Sequence, residues 1–457
     1  MNRTWFCTIA LSAPALLSAQ IVSLQTTPFF GSDQLTFYPS TNLKAAGISI
    51  AAEDQEGDQF TNPACGSSIR GLTAFSVPTF VAVGKSAEAS LISLGVRLGN
   101  DSFFAGMYAG RQRANDHGQD YFLHQSGSSD RSGGTNDFGH VFVGYRVPGT
   151  GTALGASFFR TDIGFLAKFN SAGMGYGDLK RGSSDEYRIG IEQRNQDGRR
   201  FDLVLARAVT GLDYGYYPPY YAGPVPADGL LTTGEGHDRS ATWAIQSHYV
   251  QPVSQSLFLG ALVDVNWKEF AELMLFEGPA RATAIQLGLG IARVGGESVL
   301  GFDVIYEPAS VALSWLQELP NDDVARLSST VQFSNWTGKV GIRTDRKPLN
   351  LSFGLQLHAV RFHVREQDEN QATYADMNEG WNEWRFTIGL TARLFGLELD
   401  YTGILTTFKP INTLSYVTDT RAVNTQQSID IIRPFYSASF YEGNSILHRL
   451  TITVSVF

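Results

Sequence analysis

Histidine and serine lie close together at two places in the sequence, in "HDRS" (His237–Ser240) and in "SHYVQPVSQS", which contains His248. A histidine that hydrogen-bonds a serine hydroxyl is the arrangement used in nucleophilic hydrolysis. Closeness along the chain does not form such a site, and histidines of loops or of a water-filled interior are the simpler interpretation. We therefore expect no enzyme, no catalytic residues, no cofactor and no metal site.

Charged residues are concentrated in "WRFTIGLTARLFGLELDYTG". Arg385 and Arg393 precede a turn at 395–396, and Glu398 and Asp400 follow it. In a hairpin, Arg393 would face one of the two acids within side-chain reach. This lumen charge cluster is either a charged constriction that contacts a ligand or an ion-pair ladder that holds the wall, and we favour the ladder.

The elements that carry these charges alternate between apolar and polar residues from about residue 72 onward, which predicts β-strands with two different faces. In "IQLGLGIAR" the apolar phase holds Ile285, Leu287, Leu289 and Ile291. The best runs last about nine to eleven residues, the length that crosses a bilayer, whereas strands of soluble sandwiches average about five or six. A charge facing lipid costs roughly 2–4 kcal/mol, so the polar phase, with Arg343 and His358 as further candidates, should line a lumen.

The connections between strands alternate in length. Short turns lie at 99–101, 148–151, 195–198, 295–296, 345–347 and 395–396, and long polar segments at 113–137, 164–186, 211–239, 309–328, 366–382 and 408–445. Outer-membrane barrels have short turns at one end and long loops at the other. The sequence predicts an all-β fold: a closed antiparallel transmembrane β-barrel of about 14–16 strands, residues 71–457, in the bacterial outer membrane.

Composition supports this class. Only 17% of the 457 residues are charged, 12% are aromatic, and 47 are glycine. The net charge of −9 argues against nucleic acid as a partner. The expected partners are outer-membrane lipid and lipopolysaccharide on the apolar face.

Residues 1–19 read as a secretory signal peptide, with Arg3 before an apolar stretch and small residues at 18–19. The two cysteines are Cys7 and Cys65. Because Cys7 lies in the signal peptide, we expect no disulfide in the mature chain.

Residues 20–70 do not alternate and contain "AGISIAAEDQEGDQFTNPA" (46–64). About fifty residues are too few for an enzyme domain but enough for a plug. The small residues, the acidic stretch and the Asn62-Pro63-Ala64 motif resemble the N-terminal hatch of the FadL-type long-chain fatty-acid transporters of the outer membrane. The resemblance implies gated diffusion of a small hydrophobic ligand, with these three residues shaping the hatch.

The chain ends "RLTITVSVF". Leu450, Ile452 and Val454 alternate with polar residues, which predicts a closing strand. The final Phe457 resembles the signal by which the barrel-assembly machinery recognises its substrates, and we expect Phe457→Ser to lower the amount of assembled barrel.

The sequence is compatible with several functions. A plugged channel for hydrophobic compounds is the first hypothesis. The mixed charges of the polar phase favour a general or polar-solute porin as the alternative. A structural or adhesive surface barrel is a third, and a barrel enzyme the least favoured.

Overall fold

The structure, a computed structural model, describes residues 46–48, 50–52, 58–83, 87–116, 131–171, 174–221, 234–269, 281–318, 324–344, 346, 348–368, 373–394, 396–408 and 444–455. The predicted signal peptide and Phe457 lie outside these residues. A short helix α1 (Asp58–Thr61) and a 3-10 helix (Pro63–Ser68) precede the strands.

The rest of the described chain is almost entirely β-strand. The strands are β1 (Gly71–Ser76), β2 (Thr79–Val83), β3 (Ala87–Gly99), β4 (Phe103–Asp116), β5 (Arg131–Val147), β6 (Thr152–Ser171), β7 (Met174–Arg194), β8 (Arg200–Tyr221), β9 (Gly234–Pro252), β10 (Leu257–Glu269), β11 (Arg281–Gly295), β12 (Ser298–Glu318), β13 (Val324–Thr344), β14 (Leu349–Asp368), β15 (Thr373–Leu394), β16 (Leu397–Phe408) and β17 (Asn444–Ser455).

These strands close into a ring. From β3 to β17 each strand pairs antiparallel with the next, and β17 pairs with both β1 and β2, which in turn pair with β3. β1 and β2 therefore share one position in the wall, separated at Val77 and Pro78, because proline has no N–H for the ladder. The carbonyl of Pro78 still accepts from the Leu450 N–H at 3.0 Å. The predicted fold is confirmed, as a closed antiparallel β-barrel with sixteen strand positions.

The two phases of each strand face opposite sides of the wall, as the alternation predicts. Leu289 is 69% exposed and Ile189 65%, whereas Asp303 on the other phase is 1% exposed. An apolar outer surface with buried polar residues inside is the reverse of a soluble protein and is typical of bacterial outer-membrane barrels.

Among the described residues, no helix has the length and hydropathy needed to cross a membrane.

Several strands are longer than the sequence indicated. β6 and β7 pair without interruption as far as Ser171 and Met174, so most of the predicted loop 164–186 is a paired hairpin. The prediction failed because residues 164–186 mix glycine, apolar and charged residues without a sustained period of two, so the sequence carries no strand signal there. In "LQLHAVRFHVRE" (355–366) the alternating apolar residues change phase after Ala359. Because β14 keeps one register with β15 through residues 359–362, this change is not a β-bulge.

Candidate functional site: an N-terminal segment bound to the inner wall

Residues 46–48 and 50–52, which we call the arm, lie against the inner phase of four adjacent strands. A Cβ built on Gly341 of β13 would lie 2.0 Å from the Ala46 carbonyl oxygen, and one on Gly301 of β12 would lie 2.6 Å from Ile48 Cδ1. On β11 and β10, a Cβ on Gly290 would lie 2.7 Å from Ile50 Cβ, and one on Gly260 would lie 2.3 Å from the Ile50 carbonyl oxygen. Only glycine allows this approach of backbone to wall.

Residues 58–69, which we call the anchor, continue around the ring in the same direction. A Cβ on Gly190 of β7 would lie 1.9 Å from Asn62 Oδ1, and one on Gly155 of β6 would lie 2.4 Å from Pro63 C. Near the end of the anchor, a Cβ on Gly99 of β3 would lie 2.3 Å from the Ile69 carbonyl oxygen. Arm and anchor together follow the inner wall from β13 back to β3.

The Asn-Pro-Ala motif fixes the anchor through its first residue. The Asn62 side chain caps the 3-10 helix by accepting from the Ala64 N–H at 3.0 Å, and it donates to the Ile191 carbonyl of β7 at 3.1 Å. Pro63 occupies the first helical position, where its missing N–H is not needed. One side chain therefore caps the 3-10 helix that follows α1 and also binds the wall.

Arginines of the wall bind backbone carbonyls of the anchor. Arg146 of β5 donates to the carbonyls of Ser67 (2.6 Å) and Ile69 (2.8 Å), and Arg188 of β7 donates to that of Thr61 (2.7 Å). Arg188 also forms an ion pair with Glu186. Hydrogen bonds from a charged donor are roughly twice as strong as neutral ones, so these contacts hold the anchor firmly.

The thiol of Cys65 lies in a buried charged cluster. Its Sγ and oxygens of Glu192 and Asp202 lie within 4.8 Å of one another, a set that could hold a metal ion. The Arg200 guanidinium occupies the group, with Nη2 at 2.9 Å from Sγ and Nε at 2.9 Å from Asp202 and 3.2 Å from Glu192. The guanidinium supplies the positive charge that a metal would bring, so we interpret the cluster as an ion-paired contact between anchor and wall. Cys65 is not in a disulfide.

An aromatic cluster covers the other side of the anchor. The Phe60 ring lies 4.6 Å from that of Tyr108 and 5.5 Å from that of His140, measured between centroids. Further inward-facing aromatic side chains of β1, β4, β5 and β6 complete the cluster: Phe75, Phe104, Phe138, Phe142 and Phe159. The inner wall therefore carries an aromatic patch along β1 and β4–β6.

The arm is bound at the backbone of Ile50. His248 Nε2 of β9 lies 2.6 Å from the Ile50 carbonyl oxygen, and Asp303 of β12 accepts from the Ile50 N–H at 3.3 Å. His248 Nδ1 faces Asp202 at 3.3 Å. The arm also packs against apolar side chains of the wall, among them Ala292 and Val299.

A second polar group lines the wall at β12–β15. His358 lies between Glu307 and Glu383, each 3.5 Å from one ring nitrogen. Glu307 also accepts from Gln286 (2.8 Å) and Thr337 (3.1 Å). The lumen is thus charged on the side opposite the aromatic cluster.

The predicted lumen charge cluster is divided in the structure. Arg393 and Glu398 form a partly exposed ion pair next to the turn, and Asp400 accepts from the Thr391 hydroxyl. Arg385 lies eight residues from Arg393, roughly 26 Å along the strand, opposite Gln356. The further candidate residue Arg343 lies opposite Ser352 on β14, and His358 belongs to the polar group described above.

A groove of about 470 Å³ lies on the outward face of β1, β3, β4 and β17. Leu94, Met107 and Val454 are among the apolar side chains that line it. Behind it Gly95 has no side chain, and the inward rings of Phe75 and Tyr108 fill that space, 2.5 and 2.1 Å from a Cβ built there. At Gly95 the wall has no side chain of its own, and the Tyr108 ring that lies behind it also contacts Phe60.

The sequence places Arg146 and Arg188 on the polar phase but did not predict that they bind the anchor, and no role was predicted for the wall glycines. The signal was present, because Gly288, Gly290, Gly301 and Gly341 all fall on the polar phase of otherwise regular strands. Glycine inside a strand marks a close approach of another backbone. The sequence does not show which backbone approaches.

No protein-family model matches the chain, and no curated protein matches its sequence. Solved structures with a similar fold include a FadL homologue of Pseudomonas aeruginosa (TM-score 0.45, 11% identity, 90% of this chain and 96% of that one). The Pseudomonas putida toluene transporter TodX gives a TM-score of 0.40 at 11% identity (91% and 97%), and the siderophore receptor PirA of Acinetobacter baumannii gives 0.40 at 9% identity (84% and 80%). At these scores and identities none of them assigns the chain to a family.

Proposed function

We propose that the protein is an outer-membrane channel for small hydrophobic molecules, closed by residues 20–70 acting as a plug. The observation that carries the proposal is the course of the arm and anchor, which contact the inner phase of the wall from β13 around to β3. A segment in that position narrows any path through the lumen, so passage requires part of it to move.

The aromatic cluster supports a hydrophobic ligand. Phe60 and Tyr108 place apolar surface where the anchor meets the wall, and the outward groove lies behind the same tyrosine. A hydrophobic molecule that reached Phe60 would leave through the wall into lipid or past the plug through the lumen. The apolar outer band would contact lipid and lipopolysaccharide.

A polar-solute porin is the second candidate, favoured by the charged side of the lumen around Glu307, His358 and Glu383. Six inward-facing ionisable residues of the wall are hydrogen-bonded to the arm or the anchor: Arg146, Arg188, Glu192, Asp202, His248 and Asp303. That use of charge favours the plugged channel.

Planar-bilayer recording tests the plug. The intact protein should show little steady conductance, and deletion of residues 20–66 should raise it strongly. A large steady conductance of the intact protein would support the open porin, and an unchanged conductance after the deletion would exclude gating.

Cargo is tested separately in cells that carry the protein in their outer membrane. Entry of radiolabelled toluene should rise with the amount of protein, while swelling of protein-containing liposomes in arabinose should stay at the level of empty liposomes. The opposite result would assign the barrel to polar solutes.

A further inference from the structure

The apolar band on the outer surface of the barrel differs in height from strand to strand. On β10 six apolar residues follow one another on the outward phase of residues 257–267, before the first charged residue, Glu269. On β14 there are also six, in 349–359, before Arg361. Eleven residues of strand rise about 28 Å at a tilt of roughly 40°, close to the height of about 25 Å that is typical of such a band.

The band is only about half as tall on three neighbouring strands, β6, β7 and β8. The outward phase of each holds three apolar or aromatic residues, in 154–158, 187–191 and 201–205. The next outward residue toward the long loops is charged on all three strands: Arg160, Asp185 and Arg207. Five residues rise only about 13 Å, so these charges lie at a level where β10 and β14 still present apolar side chains.

Arg207 differs from Arg160 in how its charge is compensated. Arg160 forms ion pairs with Asp162 at 3.0 Å and with Asp185 at 3.5 Å. Among the described residues, no carboxylate forms an ion pair with Arg207, and its Cζ lies instead 4.9 Å from the centre of the Trp243 ring. A cation that faces lipid is costly unless an anion neutralises it. An anion from outside the chain is therefore the partner that this guanidinium fits.

Aromatic side chains flank Arg207 on the outer surface. Tyr187 on β7 and Trp243 on β9 are its cross-strand neighbours, and Trp267 on β10 lies opposite Trp243. All three are exposed, at 53%, 46% and 38%. The indole covers one flat face of the guanidinium, and the N–H edge stays available for a bidentate contact with a phosphate. Tyrosine and tryptophan are enriched at the headgroup level of membranes.

We propose that this outward surface of β7–β10 binds lipopolysaccharide, with the Arg207 guanidinium on one of its phosphate groups and the three aromatic rings against its sugars and acyl chains. The long ends of the strands lie beyond Arg207, and in outer-membrane barrels that end faces the outside of the cell, where lipopolysaccharide forms the outer leaflet. A bilayer thins to meet a short hydrophobic surface, so the low band on β6–β8 brings the phosphates to the level of Arg207. The inference rests on the outer-membrane location in the proposed function and needs neither its cargo nor its plug.

Native mass spectrometry of the purified full-length protein in detergent tests the site. The two probes are lipopolysaccharide and the same lipopolysaccharide after enzymatic removal of its phosphates. The unaltered protein should bind the phosphorylated form on the order of fivefold more tightly, as expected for one charge at a membrane surface, and Arg207→Gln should lose that preference. Equal affinity of the unaltered protein for both forms, or an unchanged preference in Arg207→Gln, would overturn the inference.

Two further variants show whether the effect belongs to this guanidinium. Arg207→Lys keeps the charge but loses the planar fork, so its preference should fall between those of the unaltered protein and Arg207→Gln. Arg281→Gln is the matched control, because Arg281 is also an outward arginine but pairs with Glu269 at 3.6 Å. An equal loss of preference in Arg281→Gln would overturn the inference in favour of general surface charge. The heat-dependent shift of each variant on gels verifies that its barrel is assembled.

Phosphatidylglycerol and inorganic phosphate distinguish the sources of the phosphate group. Phosphatidylglycerol that binds as tightly as lipopolysaccharide, with the same dependence on Arg207, would assign the site to anionic lipids in general. Displacement of lipopolysaccharide by millimolar inorganic phosphate would assign it to the free ion, and either result would overturn the proposal. A protein that fails to admit toluene but keeps the phosphate preference would reject the proposed function and leave this site standing.

Discussion

In the anchor, wall arginines donate to backbone carbonyls and a phenylalanine packs among aromatic rings, whereas the arm lies on glycines and is hydrogen-bonded at Ile50. Both parts belong to one short segment and touch the same barrel. The difference teaches that close fit to a wall and strong attachment to it are separate properties. Glycines provide the fit in both regions, and charged donors add the attachment in one.

The largest effect is expected from Arg188→Ala, because this residue serves the anchor and pairs with the buried Glu186. Removing one partner of a buried ion pair costs about 3–5 kcal/mol. We expect a lower thermal unfolding midpoint, measured by the heat-dependent shift of the barrel on gels, and a raised conductance. Arg160→Ala, which breaks exposed ion pairs with Asp162 and Asp185, should change neither quantity by much.

Gly155→Ala tests the fit of the anchor. The new methyl group would lie 2.4 Å from both Pro63 C and Ala64 N, which are backbone atoms that cannot turn aside. Overpacking of this kind costs about 1–3 kcal/mol, so stability should fall and conductance should rise. Gly164→Ala on the same strand meets only ordinary contacts near 3.6 Å and serves as the control.

Gly341→Ala applies the same change under the arm, 2.0 Å from the Ala46 carbonyl oxygen. Because the hydrogen bonds described for the arm meet on Ile50, whereas several wall side chains bind the anchor, we expect a smaller loss of stability than in Gly155→Ala, with a comparable rise in conductance. Gly338→Ala on the same strand meets nothing within 4 Å and should behave as the unaltered protein. If Gly341→Ala lowered stability as much as Gly155→Ala does, the arm and the anchor would not differ in how strongly they are attached to the wall.

The smallest effect is expected from Arg393→Ala. Its ion pair with Glu398 is partly exposed, at 49% and 21% of side-chain surface, and exposed pairs contribute about 0–1 kcal/mol. Unfolding and the ion selectivity of the plug-deleted channel should stay unchanged. A shift in selectivity would restore the interpretation of this cluster as a charged constriction.

The sequence predicted the barrel and the orientation of its residues well. Alternation in β11, β12, β14 and β15 predicted which large apolar residues face outward, such as Leu289, Phe302 and Phe353. The turn at 395–396 predicted that Arg393 faces Glu398 or Asp400, and the structure pairs it with Glu398. These are local properties, because a two-residue period and a short turn leave little choice. The length of the β6–β7 hairpin was not predictable, since residues 164–186 mix glycine, apolar and charged residues without a sustained period of two.

The sequence by itself determined that the chain forms a barrel with an apolar outside and a charged inside, because each strand encodes its own two faces. Only the tertiary structure decided what the inner charges contact. Arg188 and Thr61 are distant in the chain, and so are His248 and Ile50. Closure of the barrel brings the residues of each pair together, because it determines which strands face the arm and the anchor and at what level along the barrel axis.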